Sequence, residues 1–94
     1  MEISKQEIET TIKQLLVEDL QADPAVIAKA DRSTPLLGRG IGLDSVEALR
    51  LSLGLENRFE IQIPDADLTV ELFSSLGALT DYVYRKAAAR KEPV

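Results

Sequence analysis

A serine at position 45 follows Asp44 and precedes Val46 and Glu47, directly after a glycine-rich stretch. Asp44 with Glu47 three residues later is a capping box, which predicts that a helix begins at Ser45. The first turn of a helix offers backbone N–H groups and the positive end of the helix dipole, and both favour an anion such as a phosphodiester. Taken alone, the same residues also describe an ordinary, well-capped helix start.

The chain of 94 residues contains no histidine and no cysteine. A Ser-His-Asp triad, a histidine general base, a cysteine nucleophile and a metal site with His or Cys ligands are therefore excluded. Asp65, Asp67 and Glu71 are explained better by a solvated helix start than by a cation site, and their spacing is not that of a calcium loop. We therefore expect no metal and no catalysis, and a functional Ser45 would be the substrate of another enzyme.

Charge is unevenly distributed along the chain. Residues 1–84 hold fifteen acids and seven bases, whereas residues 85–94 hold four bases and one acid. An acidic body disfavours nucleic acid, which requires clustered Lys and Arg, and favours protein partners with basic docking surfaces. No apolar run reaches the length of a membrane span, and the charged N-terminus does not resemble a signal peptide. We therefore expect a cytoplasmic monomer.

Hydrophobic spacing predicts helices and no strand. The predicted helices span residues 5–20, 45–59, 65–72 and 75–87. Residues 21–43 form a long loop, in which Asp23 and Pro24 favour a short helical turn. Residues 88–94 are expected to be a basic tail. Together these elements predict one all-α domain over residues 1–94, a small four-helix bundle of three main helices and a short third helix.

The predicted helix 45–59 carries two apolar groups. The core stripe consists of Ala48, Leu51, Leu55 and Phe59. A second group, the outer apolar group, consists of Val46, Leu49 and Leu53 and lies about a third of a turn or more away. It either meets another part of the bundle or forms an exposed patch for partner proteins. Gly54, which costs about 1 kcal/mol relative to Ala inside a helix, allows either close helix packing or space for a lipid chain.

The run GIGLDSVEAL at residues 40–49 resembles the phosphopantetheine attachment motif of acyl carrier proteins. The core of that motif is a glycine, any residue, then aspartate and serine followed by an aliphatic residue. The matching residues here are Gly42, Leu43, Asp44, Ser45 and Val46. Phe59, fourteen residues beyond Ser45, and the following Ile63-Pro64-Asp65 also resemble the family, and the similarity extends from residue 8 to residue 84.

The resemblance implies a four-helix bundle with a covalent 4′-phosphopantetheine arm on Ser45. A phosphopantetheinyl transferase would add the arm from coenzyme A, and Asp44 would belong to its recognition site. The arm's thiol would carry acyl groups between loading enzymes, ketosynthases and acyltransferases. Glu47, Val46 and Leu53 would contact these partners.

The sequence departs from the family in its charge. Arg50, Asn57 and Arg58 stand where acids are frequent in fatty-acid carriers, so residues 44–60 hold four acids and two bases. Arg50 would therefore alter the choice of partners, since like charges at a docking surface are penalised. We expect a specialised, free-standing carrier for fatty-acid, lipid or polyketide synthesis. Two alternatives stay open: a peptidyl or aminoacyl carrier, and an unmodified helical interaction module.

Overall fold

Helices make up almost all regular structure in residues 4–90, the part of the chain that the computed structural model describes. They are α1 (Lys5–Glu18), α2 (Pro24–Lys29), α3 (Ser45–Phe59), a 3-10 helix (Asp65–Asp67) and α4 (Leu76–Arg90). Within these residues no strand extends beyond an isolated bridge, which confirms the all-α prediction. α1 packs against α2, α3 and α4. None of the helices described is long and apolar enough to cross a membrane.

One hydrophobic core joins the helices, and it is built almost entirely from aliphatic side chains. Its fully buried members are Ile8, Ile12, Leu16, Leu36, Leu51, Leu55, Leu76, Leu79 and Val83. They recur at three- and four-residue intervals along α1, α3 and α4, as expected for one apolar face of each helix. Leu36 is the exception because it comes from the long loop, which it anchors in the core.

α1 ends at Glu18, two residues before the predicted end. The chain then reverses direction: the backbone N–H groups of Leu20 and Ala22 donate hydrogen bonds to the carbonyls of Leu15 and Leu16, at 3.2 and 2.8 Å. Between them Gln21 has a φ of 58°, in the left-handed region. This reversal satisfies carbonyls that a helix terminus leaves unpaired. The chain then enters α2, whose first turn is capped by the Asp23 carboxylate through the N–H of Ala25 at 2.9 Å.

The predicted helix over 65–72 is wrong in its length. A 3-10 helix covers Asp65–Asp67 only, and turns follow as far as Ser74. The helix stops because Leu68 has a ψ of 75°, outside the helical region. The N–H of Thr69 then bonds to the carbonyl of Asp67, only two residues back, at 2.9 Å.

α4 extends to Arg90, three residues beyond the predicted end, so residues 88–90 of the predicted basic tail are helical. Residues 91–94 lie outside the described residues. The start of α4 is capped by the long loop: the N–H groups of Leu76 and Gly77 donate to the carbonyls of Thr34 and Arg32, at 2.8 and 2.9 Å. The loop is therefore fixed against α4 by backbone hydrogen bonds.

A polar cluster reinforces this junction. The Arg32 guanidinium donates to Asp81 of α4 at 2.9 Å, and the ammonium of Lys5 lies 3.3 Å from the same carboxylate. The hydrogen bond from Arg32, assisted by Lys5, holds the pKa of Asp81 below its ordinary value. One carboxylate thus links α1, the loop and α4.

Two glycines inside helices should respond oppositely to alanine. A Cβ on Gly54 would lie 3.6 Å from the Leu15 δ-carbons, an ordinary contact, so Gly54→Ala should stabilise the fold by about 1 kcal/mol through helix propensity. A Cβ on Gly77 would lie 2.9 Å from the carbonyl oxygen of Arg32, so Gly77→Ala should destabilise it by about 1–3 kcal/mol. Urea unfolding measures both variants, and equal shifts would contradict the packing described here.

Candidate functional site

The loop before α3 folds back on itself and presents the start of that helix. The N–H of Leu43 donates to the carbonyl of Leu36 at 2.9 Å, and the side chain of Leu43 is buried. Gly42 has a φ of 86°, a conformation that disfavours residues with a side chain. At Gly40 a Cβ would overlap the carbonyl of Pro35. The glycines thus allow the tight path, and Leu43 anchors it one residue before the helix cap.

The first turn of α3 contains the predicted capping box. The Asp44 carboxylate accepts from the N–H of Glu47 at 2.7 Å, and the Glu47 carboxylate accepts from the N–H of Asp44 at 3.1 Å. Asp44 has an extended backbone, and helical geometry begins at Ser45. Both acids are therefore engaged in orienting the helix start. Any role in recognition by a partner would be additional to this structural one.

Ser45 is exposed at the first position of α3. Its hydroxyl makes no side-chain hydrogen bond with residues 4–90, so no residue described here holds it as a cap. A histidine base is absent from the chain, and the described residues contain no group of His, Cys, Asp or Glu side chains that could hold a metal. An exposed, unpaired hydroxyl at a helix start suits attachment of a phosphodiester, since the helix dipole there favours negative charge.

An apolar cavity of about 440 Å³ opens beside Ser45. It is lined by Leu37, Leu43, Ser45, Ala48, Leu49, Leu68, Thr69, Val70 and Phe73. Its volume falls within the range of about 300–1,000 Å³ that is usual for small-molecule sites. Because nearly all of these side chains are aliphatic or aromatic, the cavity suits a hydrocarbon group better than a charged one.

The outer apolar group is exposed, which decides between its two interpretations. Val46 is 65% exposed, Leu53 53% and Leu49 48%. Val70, from the turn region after the 3-10 helix, is 70% exposed and lines the same cavity as Leu49. The group therefore does not pack against another part of the bundle, and it leaves an apolar surface next to Ser45.

Most charged groups of α3 are engaged within the protein. Glu47 belongs to the capping box, and the Glu56 carboxylate accepts from the N–H of Ile63 at 2.8 Å. Arg50 donates to the carbonyl of Asp19 at the end of α1, at 3.3 Å. Arg58 is exposed and has neither a hydrogen bond nor an ion pair with residues 4–90. Arg58 is thus the cation of α3 that is fully available to a partner.

Gly54 does not line the cavity beside Ser45. It lines an open groove between α3 and the end of α1, together with Glu18, Asp19 and Arg50. The nearest atoms to a Cβ there would be at 3.6 Å, so the glycine is not required for close packing. Neither explanation suggested by the sequence, close helix packing or space inside the bundle for a lipid chain, is supported by this position.

Sequence reasoning missed one wall of the cavity. Leu68, Thr69, Val70 and Phe73 come from the turn region after the 3-10 helix, which was expected to be helical to residue 72. The sequence signal was present in the two adjacent β-branched residues Thr69 and Val70, which lower helix propensity.

Comparison with known proteins finds one matching family model and several similar chains. A family model described as "Phosphopantetheine attachment site" matches residues 10–83. A protein of Guillardia theta named "Acyl carrier protein" is 28% identical over 87 residues, covering 93% of this chain and 100% of its own length. The "Acyl carrier protein" of Thermotoga maritima is 28% identical over 83 residues, covering 88% and 95%. That of Campylobacter curvus is 26% identical over 72 residues, covering 77% and 86%.

The capping role of Asp44 can be separated from its charge. Asp44→Ala removes the side-chain acceptor for Glu47 and should lower the free energy of unfolding by about 1 kcal/mol. Asp44→Asn keeps an equally good cap and should lie within a few tenths of a kcal/mol of the wild type. Urea unfolding at neutral pH measures both. A loss with asparagine as large as with alanine would show that the carboxylate contributes by its charge instead.

Proposed function

This chain belongs to the acyl carrier protein family, and on that premise we propose that it carries acyl groups on a 4′-phosphopantetheine arm attached to Ser45. The prosthetic group of the family is 4′-phosphopantetheine, attached covalently. Its carrier domains interact with a phosphopantetheinyl transferase and with enzymes that handle acyl groups. The observation that carries the assignment to Ser45 is its exposed, unpaired hydroxyl at a capped helix start beside an apolar cavity.

The residues around Ser45 would hold and orient the arm. Asp44 and Glu47 fix the direction of the first turn, and Leu43 anchors the chain immediately before it. The arm supplies the thiol that this chain lacks, and acyl groups are carried on it as thioesters. In this proposal residues 1–94 act as one carrier domain, and the protein is the substrate of its partner enzymes and catalyses no step itself.

The cavity favours acyl over aminoacyl cargo. An aminoacyl thioester brings a charged ammonium group close to the thiol, and such a group loses its hydration in an apolar site without a partner. Apart from the hydroxyls of Ser45 and Thr69, the side chains of the cavity wall are apolar, and none of them carries a charge. A hydrocarbon chain, by contrast, gains free energy from burial against these side chains.

Attachment at Ser45 is tested with a broad-specificity phosphopantetheinyl transferase and coenzyme A, followed by intact-mass spectrometry. We expect one phosphopantetheine adduct on the wild type and none on Ser45→Ala. Ser74→Ala is the matched control: Ser74 is also exposed but its hydroxyl bonds to the carbonyl of Glu71, and this variant should be modified fully. An unmodified wild type, under conditions that load a control carrier, would overturn the assignment.

We further propose that the carrier serves a dedicated lipid or polyketide pathway. This proposal is supported by Arg50 and Arg58 on a helix whose acids Glu47 and Glu56 are engaged within the fold. A general fatty-acid ketosynthase with a basic docking surface would meet the exposed cation of Arg58, which no ion pair within residues 4–90 neutralises. Electrostatic steering of such a partner should be weak.

Reversal of one charge should improve recognition by that enzyme. Arg58→Glu should raise kcat/KM with a general fatty-acid ketosynthase by about tenfold at low salt, and the gain should shrink as salt screens the interaction. Lys29→Glu on α2 adds the same charge change elsewhere on the surface and should have little effect. Wild-type turnover equal to that of a housekeeping fatty-acid carrier would contradict the proposed specialisation.

A further inference from the structure

The residues from Asp65 to Phe73, here called the wall segment, form one side of the cavity beside Ser45. Apart from one bond, their backbone hydrogen bonds join residues only two or three apart, as in Leu68 to Asp65 at 3.0 Å and Phe73 to Val70 at 3.2 Å. The exception is the N–H of Leu36, which donates to the carbonyl of Phe73 at 3.3 Å. The backbone of the wall segment is thus tied to the rest of the fold at its last residue only.

At the C-terminal end of the wall segment, buried side chains add to the backbone bond of Phe73. Leu72 and Phe73 are both buried in the core. Leu68 is half-buried, and Thr69 and Val70 are exposed around the cavity mouth. At the other end the segment follows Ile63, which is buried and whose N–H donates to Glu56, but Leu68 lies five residues beyond it. An anchor closer to Leu68 would hold the cavity-lining residues in position.

Asp67 provides that anchor through α4. The hydroxyl of Tyr82 donates to the Asp67 carboxylate at 2.6 Å. The ammonium of Lys86 lies 3.8 Å from the same oxygen and 5.6 Å from the centre of the Tyr82 ring. Burial and the hydrogen bond to Asp67 raise the pKa of Tyr82 above that of an ordinary phenol.

We propose that Tyr82 is a positioning residue, which holds the wall segment through Asp67 and thereby keeps the cavity beside Ser45 closed on that side. Leu68, Thr69 and Val70 lie between the two anchors, Asp67 and Leu72, with no backbone bond to another element. Release of Asp67 frees these cavity-lining residues while Leu72 and Phe73 remain in the core. The segment then opens as a flap, and the cavity widens without unfolding of the bundle.

Tyr84 offers a matched control on the same helix. It lies two residues further along α4, and its ring contacts Lys5 at 5.3 Å without a hydrogen bond from its hydroxyl to residues 4–90. Replacement of either tyrosine by phenylalanine removes one hydroxyl and leaves the ring. Only at Tyr82 does that hydroxyl hold the wall segment.

The proposal is tested by amide hydrogen exchange on the unmodified full chain. Because a hydrogen bond to a charged group is among the stronger ones, Tyr82→Phe should speed exchange of the amides of Asp67, Leu68 and Thr69 by about tenfold or more. The amides of Ile12 in α1 and Leu55 in α3 should change much less. Tyr84→Phe should leave the wall segment at wild-type rates.

Two variants of Asp67 separate positioning from general stabilisation. Asp67→Ala should reproduce the exchange of Tyr82→Phe, and the double variant should add little. Asp67→Asn keeps an acceptor for the Tyr82 hydroxyl and should retain most of the protection. Equal acceleration over the whole bundle, or an unchanged wall segment in Tyr82→Phe, would overturn the proposal. Because the chain needs no arm in this experiment, its outcome is independent of the proposed attachment at Ser45.

Discussion

The backbone hydrogen bonds between the long loop and the start of α4 determine where the candidate site lies. A helix start needs acceptors for its first N–H groups, and here the carbonyls of Arg32 and Thr34 provide two of them. Gly77 has no side chain, so Arg32 can approach closely. These bonds fix the loop to α4 at Arg32 and Thr34, and the residues that follow place Leu36 in the core. The positions of the remaining loop residues, up to Ser45, depend on this attachment.

The acids of α3 show why a count of charges does not describe a docking surface. Glu47 and Glu56 both accept backbone N–H groups, one at the start of the helix and one across the link to Ile63. The outward face instead carries the outer apolar group, bordered by Arg50. Charges at the rim of an interface chiefly affect the association rate, whereas buried apolar side chains slow dissociation. This face is therefore suited to a partner selected by shape and apolar contact.

The features that were correctly predicted from the sequence depend on residues close together along the chain. The capping box of Asp44 and Glu47 joins residues three apart, and its geometry in the structure is that expected from the motif. Contacts between distant residues could not be read in the same way: Arg50 and Asp19 are 31 residues apart, and Tyr82 and Asp67 are 15. A helical wheel likewise identified the outer apolar group but could not tell whether another element covers it, because that depends on the path of the whole chain.

The positions of the cavity-lining residues explain why the helix that begins at Asp65 does not continue to residue 72. In an α-helix each residue is rotated by about 100° from the last, so three consecutive side chains spread over roughly 200° and cannot face one side. Leu68, Thr69 and Val70 all line the cavity, while Leu72 and Phe73 are both buried nearby. Turns permit this arrangement and a continuous helix does not. Turns also give up the backbone bonds that would hold a helix together, and for that reason the wall beside Ser45 depends on the side chains of Asp67 and Tyr82.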